Sequence, residues 1–374
     1  MINKIKLLLG LSTYQPLNLI EISKNNLLNN YKYLSSLNSK IKVAPVLKSN
    51  AYGHGLIPVA MSLDSADCPF FCVDSIYEAY ELLKAKIKTP ILIMGYLDPN
   101  NLKVKKLPFS YALWDLKLAE SININQPEAS VHLFIDSGMH REGVQLKDLP
   151  EFLTKLKKYH LKIDGVMSHF ASVRNEKDPL YLSQLENFKR GLEVCKREGI
   201  NPRWRHIAAS DGLLKGNLKN LSKITNMARA GLAFYGISEN NNLKPALIFK
   251  TKIVQMKKIK KGDLVGYDGV FTASKDMTIG ILPAGYNDGI DRRLSNKGIV
   301  KIDDKFCKIL GRVSMNLCTI DLSYVNKPQI GTDVIIYSDI LDDKNSILNA
   351  AKLINTISYE LLVQLTATTR RIII

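Results

Sequence analysis

A lysine closes the apolar run Val43-Ala44-Pro45-Val46-Leu47, and a loop of small residues follows at once: Ser49-Asn50-Ala51-Tyr52-Gly53-His54-Gly55. Lys48 at such a place has two readings. At the mouth of a buried strand, a partly desolvated ammonium gives up its proton more readily and becomes a nucleophile or Schiff-base former. The other reading is a lysine that snorkels from a strand end into water. His169 follows the run Gly165-Val166-Met167, and Arg229 lies in the run Met227-Ala228-Arg229-Ala230. Taken alone, His169 reads as a satisfied core histidine. Arg229 alone reads as a strand-end charge, although the Ala-Gly after it suits a loop that approaches a phosphate. The histidines and cysteines form no metal-ligand spacing, so no structural metal is expected.

The elements that would position these residues follow from the apolar pattern. Short continuous apolar runs alternate with segments of helical period from about residue 40 to 235. The runs include Phe70–Val73, Ile91–Met94, Tyr111–Leu113, Val131–Ile135 and Ile207–Ala209. The helical segments include Ser75–Lys86, Leu149–Tyr159 and Tyr181–Glu198. Continuous apolar strands, each followed by a helix, imply a parallel sheet covered on both faces. About eight such units close into a (β/α)8 barrel, whose strand C-termini carry catalytic residues. After Gly236 the texture changes. Asn240-Asn241-Asn242 and Pro245 read as a linker, and short alternating strands broken by Gly follow. Val300–Ile302 and Phe306–Ile309 flank a turn and predict a hairpin. Leu17–Ile22 reads as a further strand, with Ser23 as the N-cap of a helix beginning near Lys24. The fold class is therefore α/β: an N-terminal (β/α)8 barrel with a C-terminal mostly-β domain. The boundaries are 1–23 for the N-terminal strand, 24–240 for the barrel and 241–374 for the β domain.

Composition bounds the function. The 374 residues suit two domains at roughly 150 residues each, with 46% hydrophobic and 23% charged residues. Lys and Arg total 52 against 35 for Asp and Glu, a net charge of +17. That excess would suit an anionic partner. Its lysines are scattered, however, and the densest cluster, Lys257, Lys258, Lys260 and Lys261, has no interleaved aromatics. Compositional bias is the simpler account, and no nucleic-acid partner is expected. No apolar stretch is long enough to span a membrane. The five cysteines lack paired spacing and read as buried free thiols in a reducing compartment. Met1–Leu11 imitates a signal peptide only thinly. The cytoplasm is the expected location.

Seven ordered motifs then show a resemblance. Lys48-Ser49-Asn50-Ala51-Tyr52-Gly53-His54-Gly55 resembles the cofactor-lysine motif K-A-N-A-Y-G-H-G of the alanine racemase family. Asp136–Gly143 resembles its D-T-G-M-x-R-x-G, Gly165–Phe170 its G-x-x-x-H-F, and Arg229–Gly236 its R-x-G-x-x-x-Y-G. Val265–Gly269, Gly285–Gly289 and Gly311–Asn316 resemble V-x-Y-G-x, G-Y-A-D-G and G-R-V-C-M-D. The family's barrel and β domain agree with the reading above, and the segment before the barrel resembles the strand that joins the β domain.

The resemblance implies roles. Lys48 would hold pyridoxal 5'-phosphate covalently and serve as one acid/base group, with Tyr267 as the other on the opposite face of the substrate carbon. Tyrosine titrates near pH 10, so Tyr267 needs help, which the family supplies through His169 and Arg229. Arg229, always cationic, would keep the cofactor's ring nitrogen unprotonated. Arg141 would meet the cofactor's ring oxygen and the substrate carboxylate. Tyr52, Ser210 and Tyr359, with the backbone of Gly231 and Leu232, would hold the phosphate. Met315 and Tyr286 would line the substrate pocket. In the family Tyr267, Tyr286 and Met315 come from a partner subunit, which implies a homodimer with shared active sites.

Three positions depart from the pattern. Many members carry a carbamylated lysine that orients the arginine, and here that place is Phe134. The aspartate of G-R-V-C-M-D is Asn316, and the residue before Ser210 is Ala209. The expected activity is interconversion of L- and D-alanine, supplying D-alanine for peptidoglycan. The alternatives are a broad-specificity or other amino-acid racemase and a non-catalytic pyridoxal-phosphate-binding protein.

Overall fold

The computed structural model describes residues 15–374, so the Met1–Leu11 stretch lies outside the described residues. Two compact units emerge. One comprises Ser23–Ala246 with Ile374; the other combines the N-terminal strand with Leu247–Ile373.

In the first unit, eight short strands run parallel: Lys42–Pro45, Phe71–Val73, Ile91–Ile93, Phe109–Leu113, Ser130–Asp136, Lys162–Met167, Trp204–His206 and Met227–Ala230. The middle six pair in sequence, and the last strand pairs with the first. A bridge from Val46 to Cys72 and the Arg229 N–H donating to Ala208 O at 2.9 Å close the ring. The strands are buried because helices cover their outer faces. Those helices start where the sequence offers a cap. Ser23 Oγ accepts from Asn26 N–H at 3.2 Å, and Ser75 and Asp115 do the same for Ile76–Lys84 and Leu116–Asn125. The longest helix, Pro179–Arg197, opens on Asp178 with proline in its first turn. It buries Tyr181, Leu185, Phe188 and Cys195 along one face.

One strand is displaced from its expected place. The apolar run Ile207–Ala209 lies just past the strand, which is Trp204–His206. An apolar run marks burial, and here the buried segment is the turn that leads from the sheet into the helix Ser210–Lys215. The polar stretch from Asn240 packs with the barrel. Asn30 donates to Lys244 O at 2.8 Å and accepts from Lys244 N–H at 2.9 Å.

The second unit is built on a nine-stranded sheet. Its order is Gln255–Ile259, Met277–Leu282, Cys318–Asp321, Lys305–Leu310, Ile299–Ile302, Asp333–Tyr337, Leu247–Lys252, Leu19–Ile22 and Arg370–Ile373. The expected hairpin is present, with Ile302 facing Lys305 across the turn. The N-terminal strand runs antiparallel to Leu247–Lys252 and parallel to Arg370–Ile373. All five cysteines are buried and free.

Candidate active site

Lys48, Asp74, Arg141, His169, Ser210 and Gly231 all follow the C-terminal ends of barrel strands, and Arg229 lies within the last one. Parallel strands put all of these at one mouth of the barrel.

The loop after Lys48 is unusual. Ser49, Asn50, Ala51 and Tyr52 have φ of 56°, 54°, 54° and 50°, a left-handed turn of four non-glycine residues. Each such residue costs about 1–2 kcal/mol, less for asparagine. Surrounding bonds hold the turn. Glu78 accepts from Asn50 N–H at 3.3 Å, and Asn50 Oδ1 accepts from Leu56 N–H at 2.8 Å. The turn swings the Tyr52 ring back over the barrel mouth. There a Cβ on Gly231 would stand 2.8 Å from the Tyr52 phenol oxygen, so a larger residue would displace that hydroxyl. Tyr235 stacks on His54 with ring centroids 4.2 Å apart and anchors its hydroxyl on Val46 O.

Ser210 stands opposite. Its Oγ accepts from Gly231 N–H at 3.1 Å and Ala233 N–H at 3.2 Å. With its lone pairs so engaged, its O–H remains a donor. Tyr52, Ser210 and the Gly231–Leu232 backbone thus form a cradle at the strand ends beside Lys48, in which the Gly231 N–H is taken by Ser210 Oγ and the Ser210 O–H is the donor offered. A phosphate carried by a lysine-bound pyridoxal group suits this donor set.

Arg229 is buried and fully engaged at its terminal nitrogens. Nη1 donates to His206 Nδ1 at 2.5 Å and His206 O at 3.0 Å. Nη2 donates to Ser168 O at 2.6 Å and His169 Nδ1 at 3.1 Å. Burial lowers the Arg229 pKa to about 10, which leaves it cationic at neutral pH. Burial, followed by the charges of Arg229, Arg141 and Lys48, lowers His169 to about 3. His169 is therefore neutral. Because its Nδ1 accepts from arginine, its proton sits on Nε2.

Arg141 is half exposed, and its Nε donates to Glu142 Oε2 at 2.5 Å. The loop before it is stapled by Asp136. Its Oδ1 accepts the backbone N–H of Gly138, Met139 and His140. Burial pushes the Asp136 carboxyl up, but those N–H donors and His140 outweigh it and hold its pKa low. Phe134 packs edge-on against Trp114, beside Ala112 and Met167. The wall where the family lysine would stand is thus apolar, and Glu142 is the carboxylate on Arg141.

Sequence reading missed two further groups. Asp74 Oδ1 lies 3.2 Å from Lys48 Nζ, and Glu78 accepts from the Asp74 N–H. The available signal was an acidic residue one position past a barrel strand. His206 was missed because it sits inside a strand, within an otherwise ordinary core.

The remaining expected residues belong to the second unit. There the loops of Tyr267, Tyr286 and Met315 converge. Tyr286 N–H donates to Ser314 O and Asn287 N–H to Met315 O, each at 2.9 Å. Gly285 permits this approach, since a Cβ would lie 2.1 Å from Ser314 O. Arg312 clamps the Tyr267 loop through Asp268 at 2.7 Å. Tyr267, Tyr286 and Met315 are 69%, 42% and 57% exposed. Tyr359, in the helix Ser358–Val363, is also exposed. The sequence-derived residues therefore fall into two groups, one at the barrel mouth and one on this unit.

The family model "Alanine racemase, N-terminal domain" matches residues 22–239, and "Alanine racemase, C-terminal domain" matches 246–373. The chain belongs to the alanine racemase family. The alanine racemase of Borreliella burgdorferi is 35% identical over 356 residues, 92% of this chain and 93% of its own. That of Carboxydothermus hydrogenoformans is 31% identical, covering 94% and 98%. A solved alanine racemase from Clostridium difficile superposes with a TM-score of 0.87 at 26% identity, covering 97% of both chains. These relatives identify an isomerase of the alanine racemase type, acting on an amino-acid substrate. Among the described residues no helix is long and apolar enough to cross a membrane, and no cluster of metal-ligating side chains occurs.

Proposed function

We propose that this alanine racemase is pyridoxal-phosphate-dependent and interconverts L- and D-alanine by a two-base mechanism. The observation that carries this reading is the juxtaposition of Lys48 with the donor cradle of Tyr52, Ser210 and Gly231. When bound, the cofactor withdraws electrons from the substrate's α-carbon and makes its proton acidic.

The chain's own residues do the rest. Lys48 Nζ holds the cofactor and moves a proton on one face of the α-carbon. Tyr267 Oη moves one on the other face, supplied by a second copy of the chain in a homodimer. His169 offers its Nε2–H to the Tyr267 oxygen, which stabilises the phenolate. Arg229 would meet the cofactor's ring nitrogen, and its fixed charge would keep that nitrogen unprotonated. Tyr52, Ser210, Tyr359 and the backbone of Gly231 and Leu232 grip the phosphate. Arg141 and the Met315 backbone bind the substrate carboxylate, and Tyr286 narrows the pocket. The product D-alanine would serve peptidoglycan synthesis in the cytoplasm.

Lys48→Ala tests the cofactor reading. The wild type loaded with pyridoxal phosphate is expected to show a visible absorption band that the variant lacks. A colourless wild type sinks the reading. Phe134 and Asn316 favour a second possibility, a pocket that accepts larger amino acids. A racemisation panel over alanine, serine, lysine and arginine separates the two, with alanine turned over fastest if the first reading holds.

A further inference from the structure

We propose that His206 and His132 form a positioning relay through the barrel interior, which orients Arg229 so that only its Nε–H is offered to the cofactor. This rests on the reading of Arg229 above. Arginine has five N–H groups and no acceptor. Four of those on Arg229 are taken by His206 Nδ1, His206 O, Ser168 O and His169 Nδ1. Among the described residues the fifth, Nε–H, has no partner.

The donors dictate the tautomers beyond Arg229. His206 must accept at Nδ1, so its proton sits on Nε2. That Nε2 lies 2.7 Å from His132 Nδ1. His132 must therefore accept as well, and carries its own proton on Nε2. This last N–H is buried without a hydrogen-bond partner. The ring ends against Phe70, which stands at 89° to it with centroids 5.2 Å apart. Leaving a buried donor unpaired is costly, and such a cost persists where an arrangement serves a purpose.

The backbone is shaped to seat the ring. The register between Ser130–Asp136 and Lys162–Met167 shifts at Val131/His132, so that His132 faces Gly165. A Cβ on Gly165 would stand 2.3 Å from His132 Nδ1. A bulge and a glycine together admit a histidine to the barrel core. Burial and the Arg229 charge both disfavour protonating either ring. A protonated His206 would turn a donor toward a donor. The relay therefore takes up the Nη1–H groups of Arg229 with neutral acceptors on His206, while Ser168 and His169 take those of Nη2, which leaves the charge intact and fixes the plane of the guanidinium.

The test pairs imidazole 15N NMR with two variants. In cofactor-free wild type at neutral pH, both His206 and His132 are expected as neutral Nε2–H tautomers, the His206 proton shifted far downfield by its bond to His132. His132→Leu removes the acceptor, whereas His132→Asn places an amide oxygen where Nδ1 was. In His132→Leu the Arg229 Nε–H resonance should move or broaden, and kcat in loaded enzyme should fall roughly tenfold or more with KM little changed. His132→Asn should restore both. A His206 that carries its proton on Nδ1 overturns the relay, even if His132→Leu fails to fold. So does a folded His132→Leu with an unmoved Arg229 resonance. If the wild type takes up no pyridoxal phosphate, the reading of Arg229 fails, whatever the tautomers show.

Discussion

Ser210 does two things with one oxygen, and that makes it a sharp probe of the site. Ser210→Ala removes the acceptor for the Gly231 and Ala233 N–H groups. About 1–3 kcal/mol of stability should be lost, read from a urea transition. The phosphate donor goes too, so affinity for pyridoxal phosphate, titrated by absorbance, should fall about tenfold, equivalent to about 1.4 kcal/mol. Unchanged affinity would remove Ser210 from the cradle. Tyr267→Phe probes the other group. It should slow α-proton exchange from one enantiomer of alanine far more than from the other. Equal loss from both, followed by deuterium incorporation, would refute the two-face assignment. Lys48, Arg141, His169 and Arg229 were singled out from the sequence through the motifs that resemble the family's, since each taken alone had an ordinary structural reading. Asp74, His132 and His206 were not. Their meaning lies in partners 26, 74 and 23 positions away in the chain, and no local pattern encodes a cross-barrel hydrogen bond.

Elements carry their own signatures. The left-handed turn Ser49–Tyr52 keeps a non-glycine residue at Ser49, whose exposed side chain makes no hydrogen bond among the described residues to offset the strain. Ser49→Gly should stabilise the fold by about 0.5–1 kcal/mol, the relief of left-handed strain less the added freedom of the unfolded chain. A lower urea midpoint would show that the turn is not strained there. Half of the densest lysine cluster has an element-level explanation. Lys257 and Lys258 lie on Gln255–Ile259, an edge strand of the nine-stranded sheet. The other edge, Arg370–Ile373, carries Arg370 and Arg371. Charge on open edges blocks sheet-to-sheet association. The double change Lys257→Thr, Lys258→Val should raise light scattering with concentration, without altering the melting temperature of the dilute protein. Strand existence and type were legible because burial on both faces leaves a continuous apolar run. The slip at Ile207–Ala209 was not, because a buried turn writes the same apolar letters as a strand.

At the scale of the whole molecule, buried neutral histidines tie stability to acidity. His132 is lowered to about 3, first by burial and then by Arg229, and His206 is lowered in the same direction. An unfolded histidine titrates near 6.5. Between these values the unfolded chain binds protons that the folded chain refuses, so stability falls as pH falls below about 6.5. From pH 6.5 to 5, His132 alone should remove about 2 kcal/mol. His132→Asn should flatten the pH dependence of the urea midpoint over that interval, and an unaltered slope would contradict the assignment. The net charge of +17 includes the cations of the sheet edges and a few at the barrel mouth. One topological fact reaches further. Leu19–Ile22 is seated between Leu247–Lys252 and Arg370–Ile373, so the barrel is an insertion in a sheet that begins before it and ends after it. On a ribosome, the barrel's last strand emerges about 140 residues before the sheet's last strand. The N-terminal strand must therefore wait, unpaired, until Leu247–Lys252 is made, and for its second partner until the chain's last strand. Moving it to the far end of the chain by circular permutation would turn that long-range closure into a local one and should speed the sheet's folding without changing its final form.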